Sequence, residues 1–252
     1  MKSCLVLTVL LLVSKLLCSQ VVSIDSSYQK GIHYYNNKKS ETPLQVMLLA
    51  NYLKRELKID VRDSVLYSIN TQLLLDPNKP EHLYKRMYWN DSIESFAKLN
   101  LLHSRNDSLT FLALYCDIFG LSADSICNII CLNAQYGGYM LSNALLAFYI
   151  CNRNGCIKQS SRLYKSTFKK LREAFETAML PGKNSGNKLY EIIAFGDLIG
   201  IPTKYSDTWI SPFISEQLPN GSWSSSARSI KANDHSTFLA LMILHKRLET
   251  KH

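Results

Sequence analysis

A chain of 252 residues with 46% apolar and 19% charged side chains is neither disordered nor low in complexity. Its 29 basic and 20 acidic residues give a net charge of +9, yet no nucleic-acid-binding module accompanies that excess. Only 7 prolines and 10 glycines interrupt it, and strand-like alternation is nearly absent, so the expected class is all-α.

The chain opens with Met1-Lys2 and a stretch from Leu5 to Leu17 that is apolar apart from Thr8, Ser14 and Lys15. About a dozen residues are too few for a membrane-spanning helix of roughly 20 and suit the core of a signal peptide. The expectation is a signal peptide at 1–19, a mature chain from Gln20, and a secreted or extracytoplasmic location with membrane contact only through the leader. Lipid attachment at Cys18 and an uncut anchor are the alternatives; Leu17 is bulky where lipoprotein cleavage favours a small residue. Residues 20–252 are read as one all-helical domain, with no linker-like stretch inside it.

Helices are expected near 25–36, 43–57, 61–75, 80–88, 91–102, 107–119, 122–134, 139–151, 157–179, 187–199, 206–217 and 234–248, joined by the short loops of packed antiparallel helices. Ser122 and Asp234 are N-cap residue types, and Gly120 and Gly200 stand where a helix ends in a left-handed turn. Within 157–179, Tyr164, Phe168, Leu171, Phe175 and Ala178 form an apolar stripe. Lys158, Arg162, Lys165, Lys169 and Arg172 recur beside it at steps of three and four, a basic face suited to polyanions such as acidic glycans or anionic lipid.

The chain also repeats itself. Asp-x-x-Thr-Phe-Leu-Ala-Leu occurs at 107–114 and again at 234–241, with a weaker copy at 142–148. Asp117-Ile118-Phe119-Gly120-Leu121 is echoed by Asp197-Leu198-Ile199-Gly200-Ile201. Equating Ala113, Ala147, Ala194 and Ala240 gives a unit of roughly 34 to 47 residues, the length of a helical hairpin. Two apolar Phe-Leu-Ala-Leu runs cover a whole helix circumference and belong on inner helices, whereas 157–179 has the one-sided pattern of an outer one.

Gln217-Leu218-Pro219-Asn220-Gly221-Ser222-Trp223 and Gln135-Tyr136-Gly137-Gly138-Tyr139 resemble the Gln-x(2–5)-Gly-x-Trp element of the terpenoid cyclase and protein prenyltransferase superfamily. The resemblance extends over roughly residues 100 to 248 and implies an α/α toroid, with an irregular helical bundle or an open solenoid as alternatives. In that superfamily the Gln caps a helix end and the aromatic ring stacks on it. The superfamily's chemistry is not implied: there is no Asp-x-Asp-Asp acid, no Asp-x-Cys followed by His, no Cys-Gly-Glu-Gln thioester and no Cys-Cys-His arrangement.

Five cysteines follow the leader: Cys116, Cys127, Cys131, Cys151 and Cys156. In an oxidising compartment one or two disulfides are expected, with Cys116–Cys127, Cys127–Cys151 and Cys151–Cys156 among the pairings open to the chain. C-x3-C and C-x4-C spacings suit zinc, but export favours oxidation, so neither metal nor cofactor is expected. Three sequons, at Asn90, Asn106 and Asn220, are acceptors only in a glycosylating host.

If the repeats are equivalent, Asp107, Ser142-Asn143 and Asp234-His235 share one rim, with Tyr139 and Trp223 in the loops leading to it. The function expected is binding of a small-molecule, glycan or lipid ligand through that rim (Tyr139, Asn143, Trp223), or of a polyanion through the basic helix. The alternative is an extracellular enzyme on a glycan or lipid, with Asp234 and His235 as an acid–base pair and Asp107 opposite. Against it stands ordinary capping: Asp at a helix N-terminus needs no catalytic reason.

Overall fold

A computed structural model describes residues 24–37, 44–59, 61, 72–89, 105–118, 120–201, 204–226 and 229–250. Regular structure among them is helical, apart from one isolated antiparallel bridge between Ser224 and Ala232. The helices are α1 (24–37), α2 (Leu44–Leu57), the single turn α3 (Gln72–Leu75), a 3-10 turn at Pro80–Tyr84, α4 (Lys85–Trp89), α5 (Arg105–Leu114) and α6 (Ala123–Gln135). They continue as α7 (Gly138–Arg153), α8 (Arg162–Ala178), α9 (Gly186–Leu198), α10 (Lys204–Ser215) and α11 (Asp234–Glu249). The signal peptide expected at 1–19 and the helix expected at 91–102 lie outside the described residues, and of 61–75 only 61 and 72–75 are described, the latter as one helical turn.

Seven of the expected helices stand within two residues of their expected bounds, and their ends have local causes. Ser122 Oγ accepts from Ser125 N at 3.1 Å and starts α6, and Gly200 (φ +78°) follows α9 in the left-handed turn that a Cβ disfavours. Three expectations shift. The helix expected at 107–119 runs from Arg105 to Leu114, and Tyr115 to Ile118 form a turn. The α8 helix starts at Arg162, because Ser161 Oγ accepts from Tyr164 N at 3.0 Å, so Lys158 lies in the preceding turn and off the helix face. The cap of α11 is Asn233, whose Oδ1 accepts from Ser236 N at 2.8 Å; Asp234 is the first helical residue.

Four helices form the interior. The α5, α7, α9 and α11 helices pack in sequence order, each against the next, while α6 and α8 lie outside α7 and against each other. Ala113, Ala147, Ala194 and Ala240, one on each inner helix, are all buried to 1% exposure or less. On α11 every residue from Ser236 to Leu244 is buried, as a helix enclosed by others requires. On α8 burial is confined to Thr167, Leu171, Phe175 and Ala178, a single stripe.

Links at like ends show that the inner helices run parallel. Cys116, just past α5, is joined by a disulfide to Cys156, just past α7, with Cα atoms 6.1 Å apart. Asn154 Nδ2 donates to Ala113 O and Leu114 O at the same place. This pairing is none of the three named from sequence: parallel inner helices bring C-terminal turns together, whereas the sequence reading compared antiparallel neighbours. Cys127, Cys131 and Cys151 remain buried thiols. At the C-terminal ends of α9 and α11, Arg247 meets Asp197 at 3.3 Å, both buried. Their N-terminal ends meet at the polar cluster described below.

The loop before α11 seals the interior. Trp223 is fully buried, stacks on Phe213 at 5.4 Å between centroids and donates its Nε1–H to Phe213 O at 3.0 Å. Trp223 N in turn donates to Thr237 Oγ1 at 3.0 Å, which gives the Thr of the repeated motif a structural task. Gln217 Nε2 donates to Ser27 O and Gly221 O, both at 2.9 Å, tying this loop to α1. The Gln-to-Trp segment therefore joins neighbouring elements, but its ring stacks on Phe213. In the second copy Tyr136 and Tyr139 are exposed.

Candidate rim site at the start of three parallel helices

A carboxylate inside an apolar helix marks the site. Glu191 interrupts the buried run Leu189–Phe195 of α9, and its side chain is only 10% exposed. Four residues earlier, Asn187 shares its helix face. Ser142 Oγ, from the first turns of α7, donates to Glu191 Oε2 at 2.6 Å. Asn187 Nδ2 donates to Glu191 Oε1 at 3.3 Å and to His235 Nδ1 at 3.2 Å, and Asn187 Oδ1 accepts from Ser236 Oγ at 2.9 Å. Side chains from α7, α9 and α11 thus meet at the N-terminal ends of all three.

Glu191 Oε1 and His235 Nδ1 are 3.6 Å apart, beyond hydrogen-bond length, and the Asn187 amide connects them. Burial pushes the Glu191 carboxyl up to about 7, against the lowering effect of the Ser142 and Asn187 hydrogen bonds. Burial also pushes the His235 imidazole down to about 4. The pair is therefore two neutral groups just below pH 7, not an ion pair. The Asn187 donation requires His235 Nδ1 to be the unprotonated nitrogen, which leaves the ring proton on Nε2.

The residues named from sequence divide clearly. Ser142 and His235 are brought together. Tyr139 is 43% exposed at the start of α7, its carbonyl accepts from Asn143 Nδ2 at 2.6 Å and lies 3.0 Å from Ser142 Oγ, and the Lys188 ammonium lies over its ring at 5.6 Å. Tyr139 and Asn143 thus adjoin the cluster. Trp223 does not: it is sealed in the core and cannot meet a ligand. Asp234 Oδ1 accepts from Tyr34 OH at 3.1 Å and its carbonyl accepts from Tyr35 OH, so the carboxylate seated against His235 is Glu191. Asp107 lies in the first turn of α5, and its side chain is outside the described residues.

Sequence reasoning missed Glu191 and Asn187. The signal was present: a lone acid inside seven otherwise apolar residues of an enclosed helix has nowhere to go but the interior.

The basic face is only partly free. Lys169 pairs with Glu173 at 3.9 Å and Arg172 with Glu176 at 3.0 Å. Lys158, Arg162 and Lys165 make no ion pair among the described residues. Among those residues the only His, Cys, Asp and Glu group close enough for a metal is Cys116, Asp117 and Cys156, whose sulfurs are joined to each other. No described helix is long and apolar enough to cross a membrane.

Compared with known proteins, the chain matches no family model, no curated protein and no solved structure.

Proposed function

We propose that this is an exported binding protein, its helical hairpins arranged as an α/α toroid, that takes a glycan at the rim formed by the starts of α7, α9 and α11. The observation that carries this is the convergence on Glu191 and His235. Burying a carboxyl, an imidazole, an amide and two hydroxyls where apolar packing would hold the helices costs stability, and such groups gather where a ligand is bound. Exposed Tyr139, with the Lys188 ammonium over its ring, offers aromatic surface to a sugar, and Asn143, Lys188 and His235 supply groups that hydrogen-bond to hydroxyls. Parallel, enclosed inner helices with outer helices between them support the toroid. A printed glycan array tests the reading. Saturable binding that is lost in Tyr139→Ala and His235→Ala supports it, and no binding to any glycan ends it.

Two other readings rest on specific observations. A neutral imidazole beside a carboxyl that titrates near 7 is suited to acid–base work on a glycan or lipid, so the enzymatic alternative passes from Asp234 to Glu191 and His235. Turnover of a glycan lost in both Glu191→Gln and His235→Ala tests it. Arg162 and Lys165 stand in the first turn of α8, which holds no acid, where the helix dipole disfavours cations. Such placement favours a polyanion at that end of α8.

A further inference from the structure

A cleft of about 630 Å³ opens on the outer side of the domain, walled by the end of α6, the start of α7, α8 and the loop after α8. It is separate from the Glu191 cluster, and its volume is in the range of small-ligand sites. Its apolar lining is Ala134, Ala174 and Ala178. Its charged lining is Lys170, Lys183 and Glu173.

The charge balance there is uneven. Glu173 is paired with Lys169, outside the lining. Lys170 and Lys183 make no ion pair among the described residues, and both are exposed. Lys170 stands on α8 and lines the cleft beside Ala174. Asn184 Nδ2 donates to Ala178 O at 2.8 Å and pins the loop that carries Lys183 to the end of α8. Two lysines against one carboxylate leave this half-apolar cleft with a net positive charge, which is complementary to an anion.

We propose that this cleft binds a small organic anion, with its carboxylate, sulfate or phosphate held by Lys170 and Lys183 and its apolar part on Ala134, Ala174 and Ala178. The site is independent of the rim and of the glycan reading. Neither does it use the basic face of α8, since Lys170 and Lys183 are not part of that face.

The test is isothermal titration of the full mature chain with 1-naphthalenesulfonate and with neutral 1-naphthalenemethanol. The expected result is saturable sulfonate binding at least about tenfold tighter than that of the alcohol and weakened by salt. The Lys170→Ala/Lys183→Ala double variant should lose that preference, and Lys170→Arg/Lys183→Arg should keep it. Both lysines are exposed, so an unchanged melting temperature confirms that the variants fold. Equal affinity for the two compounds, no saturable sulfonate binding, or full binding by the alanine double variant overturns the proposal. Glycan binding by the same alanine variant keeps the two readings distinguishable.

Discussion

Glu191 of α9, nearly enclosed, and His235 of α11, half-buried, face each other at 3.6 Å, with the amide of Asn187 donating to each. Their titrations oppose. The folded carboxyl binds its proton up to about 7 against a usual 4.5, so its contribution to stability is full below 4.5 and is lost as pH rises to 7. The folded imidazole refuses its proton down to about 4 against a usual 6.5, so its contribution is full above 6.5 and is lost as pH falls to 4. Glu191→Gln should therefore leave stability nearly unchanged at pH 5 and raise it at pH 8, by an amount on the order of 2 kcal/mol. Urea denaturation at both pH values checks this. A variant equally destabilised at both would show that the carboxyl is not burdened by ionisation.

The link between the Trp223 loop and α11 gives a second prediction. Thr237→Val leaves the buried Trp223 N–H without its acceptor and should cost about 1–3 kcal/mol, whereas Thr237→Ser should retain most of it. Gly221→Ala should cost more than about 2 kcal/mol, because φ is +89° and a Cβ would stand 2.3 Å from Lys30 O. Urea unfolding of the three variants ranks them.

A third prediction concerns the thiols. Peptide mapping of the oxidised protein should find Cys116 joined to Cys156, with Cys127 and Cys151 alkylated only after unfolding. Closing a loop of sequence separation 40 stabilises by about 4 kcal/mol through the unfolded chain's lost entropy, so Cys116→Ser/Cys156→Ser should fall by that amount.

Heparin retention separates the two parts of the basic face. Neutralising Lys158, Arg162 and Lys165 should shorten retention more than neutralising Lys169 and Arg172, whose charges are already met by Glu173 and Glu176. Equal effects, or none, would remove the polyanion reading.

Much of the architecture was legible because enclosed helices announce themselves. The two Phe-Leu-Ala-Leu runs have no polar side, and both lie inside; the one-sided stripe around Leu171 and Phe175 lies outside. Ser142 and His235 were placed on a common rim by the repeat alone. What escaped was long-range pairing. Nothing local to Cys116 points to Cys156, since the bond depends on α5 and α7 running parallel. Trp223 looked like a rim aromatic, but the Phe213 ring and the Thr237 hydroxyl draw it into the core. Asp234 looked like a partner for His235 by adjacency, yet consecutive helical residues point about 100° apart, and the tyrosines of α1 engage Asp234 instead.

The central claim is that ligands meet this protein at the Tyr139–Ser142–Glu191–His235 rim. The most direct measurement is the nuclear magnetic resonance signal of the His235 ring, assigned by loss in His235→Ala, while a soluble glycan selected on the array is added. Saturable movement of that signal, together with those of the Tyr139 ring and the Asn187 side-chain amide, is the predicted result. Binding that moves residues elsewhere and leaves all three signals fixed would contradict it.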